Sequence, residues 1–214
     1  MKSFIPSLAA LLLLLSATPA SATEDRLELW LNPAVTTDLD DKTSIELETA
    51  QRFRKSPADD TYYARVWVGR DLGRGLALSA GIERRHEGEG RETRLLQQLS
   101  YPLVGILKGR TRLEQRFLND EPRTAVRVRQ RLGVGIPLSS DGWEAAANAE
   151  GFFTLRASEA GAQTGLTGLR TFVGVEREFD RVEVSLGYLR QQTIREARPD
   201  TVGHAPLVGL TFKL

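Results

Sequence analysis

The sequence predicts an all-β fold, a transmembrane antiparallel up-and-down β-barrel behind a cleaved signal peptide, and three observations carry that expectation. The first 22 residues have the make-up of an export signal, charges beyond Thr43 keep to alternate positions of successive ten-residue segments, and the chain closes on an alternating apolar run ending at Leu214. At 214 residues the chain has the size of one domain. The expected organisation is a signal peptide over 1–22, a lead-in over 23–42 and a barrel over 43–214.

Met1 to Ala22 carries Lys2, an apolar run from Leu8 to Leu15, the helix-breaking Pro19 and then Ala20-Ser21-Ala22, the small-x-small pattern cut by signal peptidase. A membrane anchor would need ~20 apolar residues; this run is too short for one. Later apolar stretches are brief, such as Leu103 to Leu107. The predicted destination of the exported chain is therefore a cell envelope, the bacterial outer membrane.

Lys and Arg number 29 and Asp and Glu 28, and Lys2 is the only charge in the first 22 residues, so the remainder is formally neutral. A nucleic-acid binder needs a basic excess to displace counterions, which argues against such a partner. The absence of cysteine excludes a disulfide scaffold, a thiolate metal site, a cysteine nucleophile and a lipoprotein anchor.

From Thr43 onward, ten segments alternate with period two, the repeat of a strand with one apolar face. The first three run Ile45-x-Leu47-x-Thr49-x-Gln51-x-Phe53, then Tyr62 to Val68, then Leu76 to Ile82. Leu95 to Tyr101, Thr111 to Phe117, Val126 to Val134 and Trp143 to Ala149 follow, and Leu169 to Val175, Val182 to Tyr188 and Pro206 to Leu214 complete the series. The count gives ten strands, with Arg26 to Asn32 also alternating and offering twelve as the alternative. The opposite parity holds the charges, mixed with Gly69, Gly81, Gly133, Gly174, Gly187 and Gly209. A soluble sandwich would turn that charged face to water and would need no small residues there; a confined barrel interior would need them. The breaks support the barrel. Arg54 to Thr61, Arg85 to Glu92, Asn119 to Arg123, Arg156 to Gly165 and Gln192 to Gly203 read as polar loops, while Asp71 to Arg74, Pro137 to Gly142 and Glu178 to Arg181 read as tighter turns, the asymmetry of outer-membrane barrels.

The final segment, Pro206-x-Val208-x-Leu210-x-Phe212-x-Leu214, resembles the C-terminal signal recognised by the barrel-assembly machinery, making that machinery an expected partner beside outer-membrane lipid and lipopolysaccharide. With Leu214 on the periplasmic side, an even count of ten puts Thr43 there too. A homo-oligomer is left open. Trp30, the run Glu48 to Phe53, Gly-Arg-Thr-Arg-Leu-Glu-Gln-Arg-Phe at Gly109 to Phe117, Arg-Val-Arg-Gln-Arg-Leu at Arg127 to Leu132 and His204 together resemble a proteobacterial outer-membrane family catalogued only as a domain of unknown function. The resemblance implies the barrel and brings no activity.

Chemistry concentrates on the predicted inner face. Arg110, Arg112, Glu114 and Arg116 share one strand face, and Arg127, Arg129 and Arg131 share the next, joined by one hairpin. Guanidinia crowded in a narrow lumen need partners, because an unpaired buried charge costs several kcal/mol. The expected charge network adds Glu46, Glu48, Arg52, Glu83, Arg85, Glu144, Glu150, Arg170, Glu176 and Glu183. Thirteen inward bases, including Arg65, Arg94, Arg181 and Lys213, stand against eight glutamates. The leading expectation is a non-enzymatic barrel, structural or binding, with a largely occluded lumen; the first alternative is a narrow, weakly anion-selective channel. The second is a lipid-modifying enzyme using His86 or His204, which parity places outward at one rim, although no Gly-x-Ser-x-Gly accompanies them. Two histidines and no cysteine imply no metal site and no cofactor. Parity also sets Gln97, Gln115 and Gln130 on the lipid face, where pairing at one level would make a polar seam.

Overall fold

A computed structural model describes residues 23–119 and 121–214; the predicted signal peptide lies outside them. Twelve strands follow in chain order: β1 (Thr23–Leu27), β2 (Leu29–Asp40), β3 (Thr43–Phe53), β4 (Thr61–Gly73), β5 (Leu76–Glu87), β6 (Gly90–Pro102), β7 (Leu107–Leu118), β8 (Ala125–Pro137), β9 (Trp143–Arg156), β10 (Gly165–Phe179), β11 (Val182–Thr193) and β12 (Asp200–Lys213). From β2 to β12 each strand pairs with the next. The ring closes through a parallel ladder between β12 and β2, from Leu207↔Trp30 to Lys213↔Thr36. β1 extends the same edge of β12, Thr23↔Asp200 to Leu27↔His204, and the Glu28 N–H between the two strands donates to the His204 carbonyl at 2.9 Å.

Eleven strands therefore close the barrel and β1 adds a twelfth, so the expected count of ten is corrected and the total agrees with the alternative of twelve. The segment Leu29–Asp40 is part of the wall rather than a lead-in to it. Its alternation puts Trp30 and Ala34 in the interior, 4% and 7% exposed, and Leu29 and Val35 on the outside. Pro33 faces out, and the β2–β3 ladder passes from Leu31↔Gln51 to Ala34↔Glu48 without bridges at Asn32 and Pro33, since proline has no N–H to give. An odd count places the two ends of the described chain apart. Thr36 lies beside Lys213, so the β2–β3 turn shares the Leu214 end, whereas Thr23 lies at the opposite end.

The connections differ between those ends. Beside Leu214 the β2–β3, β4–β5 and β10–β11 turns are two residues long, and Arg74 and Gly75 take φ of 56° and 75°, as a tight hairpin with a left-handed bend requires. At the Thr23 end the β3–β4, β7–β8, β9–β10 and β11–β12 connections are longer, the first containing a 3₁₀ turn at Pro57–Asp59. The expected loop from Arg85 to Glu92 is instead a two-residue turn, because β5 runs to Glu87 and β6 starts at Gly90. Its polar residues belong to strands.

Polarity across the wall is the reverse of that in a soluble domain. Val68, Ile82 and Val173 are 47%, 50% and 58% exposed, while Glu83, Glu114 and Glu150 are 1%, 1% and 3% exposed. The interior also holds aromatic rings, and these account for several inward glycines. A Cβ on Gly81 would lie 2.6 Å from the Trp67 ring, and one on Gly187 would lie 2.4 Å from Phe172. Phe172 thereby reaches Trp30, Ala146, Leu189 and Ala205, a small apolar cluster beside the β2–β12 closure.

Candidate functional site

The interior is organised around buried carboxylates that each accept from several arginines. Glu83 pairs with Arg65, with Arg85 at 2.9 Å and with Arg94 at 3.3 Å. Arg65 also reaches Glu48 at 2.7 Å, and Glu92 takes Arg94 at 2.6 Å and Arg116 at 2.5 Å. Glu114 holds Arg127 at 2.5 Å and Arg129 at 2.9 Å; Arg129 bridges to Glu150 at 2.5 Å, which also takes Arg110 at 2.6 Å and Arg170 at 3.7 Å. Strand register sets these pairs. Arg127 lies directly across from Glu114, Glu83 across from both Arg65 and Arg94, and Glu150 across from Arg170; Arg131 is also across from Glu150 but forms no ion pair with it. Across a pair of strands such neighbours are within side-chain reach.

Rings fill the space between charges. Arg52 stacks on Trp30 with its guanidinium carbon 3.7 Å from the ring centroid, and Arg112 lies 4.9 Å from the centroid of Trp67. Phe152 is faced by Arg127, Arg129 and Arg170. These contacts orient planar guanidinia without neutralising them.

Not every residue expected in the network joins it. Among the described residues Glu46, Glu144, Glu176 and Glu183 form no ion pair; Glu144 and Glu176 face one another toward the Leu214 end, and Glu176 accepts from Ser185 at 3.2 Å. Arg131 and Arg52 also have no carboxylate within 4.0 Å, and Arg112 bonds Gln98 instead, at 2.6 and 2.9 Å. Arg181 lies exposed near the Leu214 end, and Lys213 pairs with Glu178 at 2.6 Å. The sequence reading missed Glu92, hidden by its assignment to a loop, although it shares the inward parity of Arg94. Tyr63, Trp67, Phe152 and Phe172 were missed as interior groups too. Each keeps inward parity, which was the available signal.

Three cavities follow the barrel axis. One of about 460 Å³ opens at the Thr23 end and is lined by ten arginines, among them Arg52, Arg94, Arg127 and Arg195, and by three acids, Glu28, Asp59 and Glu87. At its mouth Arg54 bonds Glu28 at 3.0 Å and Glu87 at 3.2 Å. Burial opposes the Arg54 charge, yet those two carboxylates prevail and hold its pKa above the ordinary value. A second cavity of about 260 Å³ shares Arg52, Arg85, Arg129 and Arg170 with the first, and a third of about 320 Å³ shares Arg110, Arg131 and Glu176 with the second. Layers of arginine and aromatic side chains thus divide the lumen. Barrels of about eight strands are filled by side chains; eleven strands leave this extra room.

His86 and His204 both lie outward toward the Thr23 end, but β2, β3 and β4 separate them along the wall, so they form no pair. His204 stacks on Tyr188, its Nδ1 bonded to the tyrosine hydroxyl, and its Nε2 is 3.6 Å from Asp25. The glutamines fall on three successive rungs rather than one: Gln115 faces Leu95 and Val126, Gln97 faces Leu113, and Gln130 faces Thr111. Gln130 is satisfied locally, accepting from Thr111 at 2.7 Å and donating to the Tyr101 hydroxyl at 3.1 Å. The three glutamines therefore do not share one level. Among the described residues no cluster of three His, Cys, Asp or Glu is placed to hold a metal, and no helix is long and apolar enough to cross a membrane.

Residues 27–202 match the family described as "Protein of unknown function (DUF2490)", and the chain belongs to that family. No curated protein and no solved structure matches it.

Proposed function

We propose that this member of the DUF2490 family is an integral outer-membrane β-barrel, non-enzymatic, structural or binding in role, with a largely occluded lumen. The observation that carries the reading is the inverted wall. Turning Val66, Val68, Ile82 and Leu95 outward on the neighbouring strands β4, β5 and β6, and Val173 outward on β10, while burying Glu83 and Glu114 within is the polarity that a hydrocarbon surround favours. Strands of 11 to 15 residues from β3 to β12 meet or exceed the ~9–11 residues a tilted strand needs to cross. The alternating C-terminal strand supports assembly by the barrel-insertion machinery, and lipid and lipopolysaccharide would meet the outer face.

Expression of the full chain in a Gram-negative host, followed by membrane fractionation and electrophoresis with and without boiling, tests this. The proposal expects the chain in the outer-membrane fraction with a faster-migrating unboiled form. Recovery in the soluble periplasm with one mobility would overturn it. A second reading, a narrow anion-selective channel, draws on the three cavities in series; steady anion-preferring conductance would favour it over the occluded barrel.

A further inference from the structure

We propose that the cavity at the Thr23 end binds a multivalent oxyanion of the phosphate type. The site rests on the barrel reading above and names the class of ligand that such a barrel would take.

The first ground is charge. Ten guanidinia line this cavity against three carboxylates. The four buried glutamates behind the lining, Glu83, Glu92, Glu114 and Glu150, together with Glu24 on Arg26, Asp60 on the Arg54 N–H and Asp200 on the Arg195 N–H, balance the charge of this end as a whole. The excess of base over acid is therefore a property of the side chains that face the cavity.

The second ground is unused donors. Arg52 is 7% exposed, and among the described residues its side chain has no carboxylate within 4.0 Å. Its Nε is sealed off without a hydrogen-bond partner, and no side chain or carbonyl among the described residues takes its terminal N–H groups, which border the cavity. An arginine buried without a partner costs free energy that a ligand reaching those terminal groups recovers. Trp30 takes the face of the Arg52 guanidinium, leaving its N–H edges for the cavity, and a planar fork of donors suits a tetrahedral oxyanion bonded through two oxygens.

The third ground is what the wall lacks. Small-molecule sites are usually apolar with a few polar anchors; here Phe152 is the one large apolar side chain among the lining residues. Recognition must come from charge density, which selects a di- or polyanion over a neutral sugar or a fatty chain. The phosphate could arrive on a soluble metabolite through the open mouth or on a lipid headgroup at the rim.

The test uses the full chain folded in zwitterionic detergent, titrated calorimetrically with sodium phosphate against sodium chloride at matched ionic strength. Arg52→Gln removes an unpaired arginine without orphaning a carboxylate, and Arg74→Gln at the far end serves as control. Expected are saturable phosphate binding, weaker by about tenfold or more in Arg52→Gln and unchanged in Arg74→Gln. Absence of saturable binding in folded wild type, or equal affinity in wild type and Arg52→Gln, overturns the site while leaving the barrel intact. A wild-type chain whose mobility is unaltered by boiling overturns the barrel reading and the site with it. Repeating the titration in nanodiscs containing dioleoylphosphatidic acid separates the sources: loss of the phosphate signal there assigns the lipid headgroup, and its persistence assigns the soluble anion.

Discussion

Glu83 accepts hydrogen bonds from Arg65 and Arg85 and pairs with Arg94 at 3.3 Å, and at 1% exposure it is almost sealed from solvent. Glu83→Gln would leave Arg65, Arg85 and Arg94 sharing a neutral amide, and breaking a buried pair of this kind costs about 3–5 kcal/mol. The expected result is a clear fall in the urea midpoint of the barrel refolded into lipid vesicles. Arg52→Gln makes the opposite case. It deletes a guanidinium that stacks on Trp30 but satisfies no carboxylate, so the expected change is less than about 1 kcal/mol. A midpoint for Glu83→Gln equal to wild type would mean that the network contributes little to stability. At this scale the sequence was informative about which residues face inward and silent about which pair. Parity alone separates Arg127 from Val128, but joining Arg127 to Glu114 requires the β7–β8 register, set by a loop whose length in space cannot be read from composition.

Element by element, the strands from β3 onward were legible because each has one apolar and one polar face. β2 was harder. Its alternation is as clear as the others, yet its outer partner β12 lies at the far end of the chain, and nothing local in Leu29–Asp40 distinguishes a wall strand from a tail. Deleting residues 23–40 tests the assignment. A barrel closed by β2 should lose its heat-modifiable form, whereas a barrel of ten strands would keep it. A subtler test lies in β10 and β11, where Phe172 leans over Gly187. A Cβ at Gly187 would meet the Val173 carbonyl at 2.5 Å as well as the ring, so Gly187→Ala should cost at least about 1–3 kcal/mol by overpacking, and Phe172→Leu in the same chain should recover only the share due to the ring. Equal and additive effects of the two changes, measured by thermal unfolding, would show that ring and glycine do not share that space.

Across the whole molecule, the barrel is wide enough to hold cavities and narrow enough for arginine and aromatic layers to divide them. Planar-bilayer recording of the folded wild type is accordingly expected to show no steady conductance; sustained openings would favour the channel reading. The segregation of charge along the axis, basic among the side chains that face the cavity toward Thr23 and acidic around Glu144, Glu176 and Glu183 toward Leu214, was not legible from residue counts, because a ratio of bases to acids carries no position. The central claim is that the outward face of the wall meets lipid. The chain contains no cysteine, so a nitroxide label can be placed at one introduced cysteine at a time without background. The decisive measurement is a label scan from Tyr62 to Val68 on β4 in lipid vesicles, reading collision with oxygen, which dissolves in hydrocarbon, against a water-soluble nickel chelate. The account predicts high oxygen and low nickel accessibility at Tyr62, Ala64, Val66 and Val68, alternating with protected positions at Tyr63, Arg65 and Trp67. Nickel accessibility at the outward positions equal to that of a label in the Pro57–Asp59 turn would contradict it.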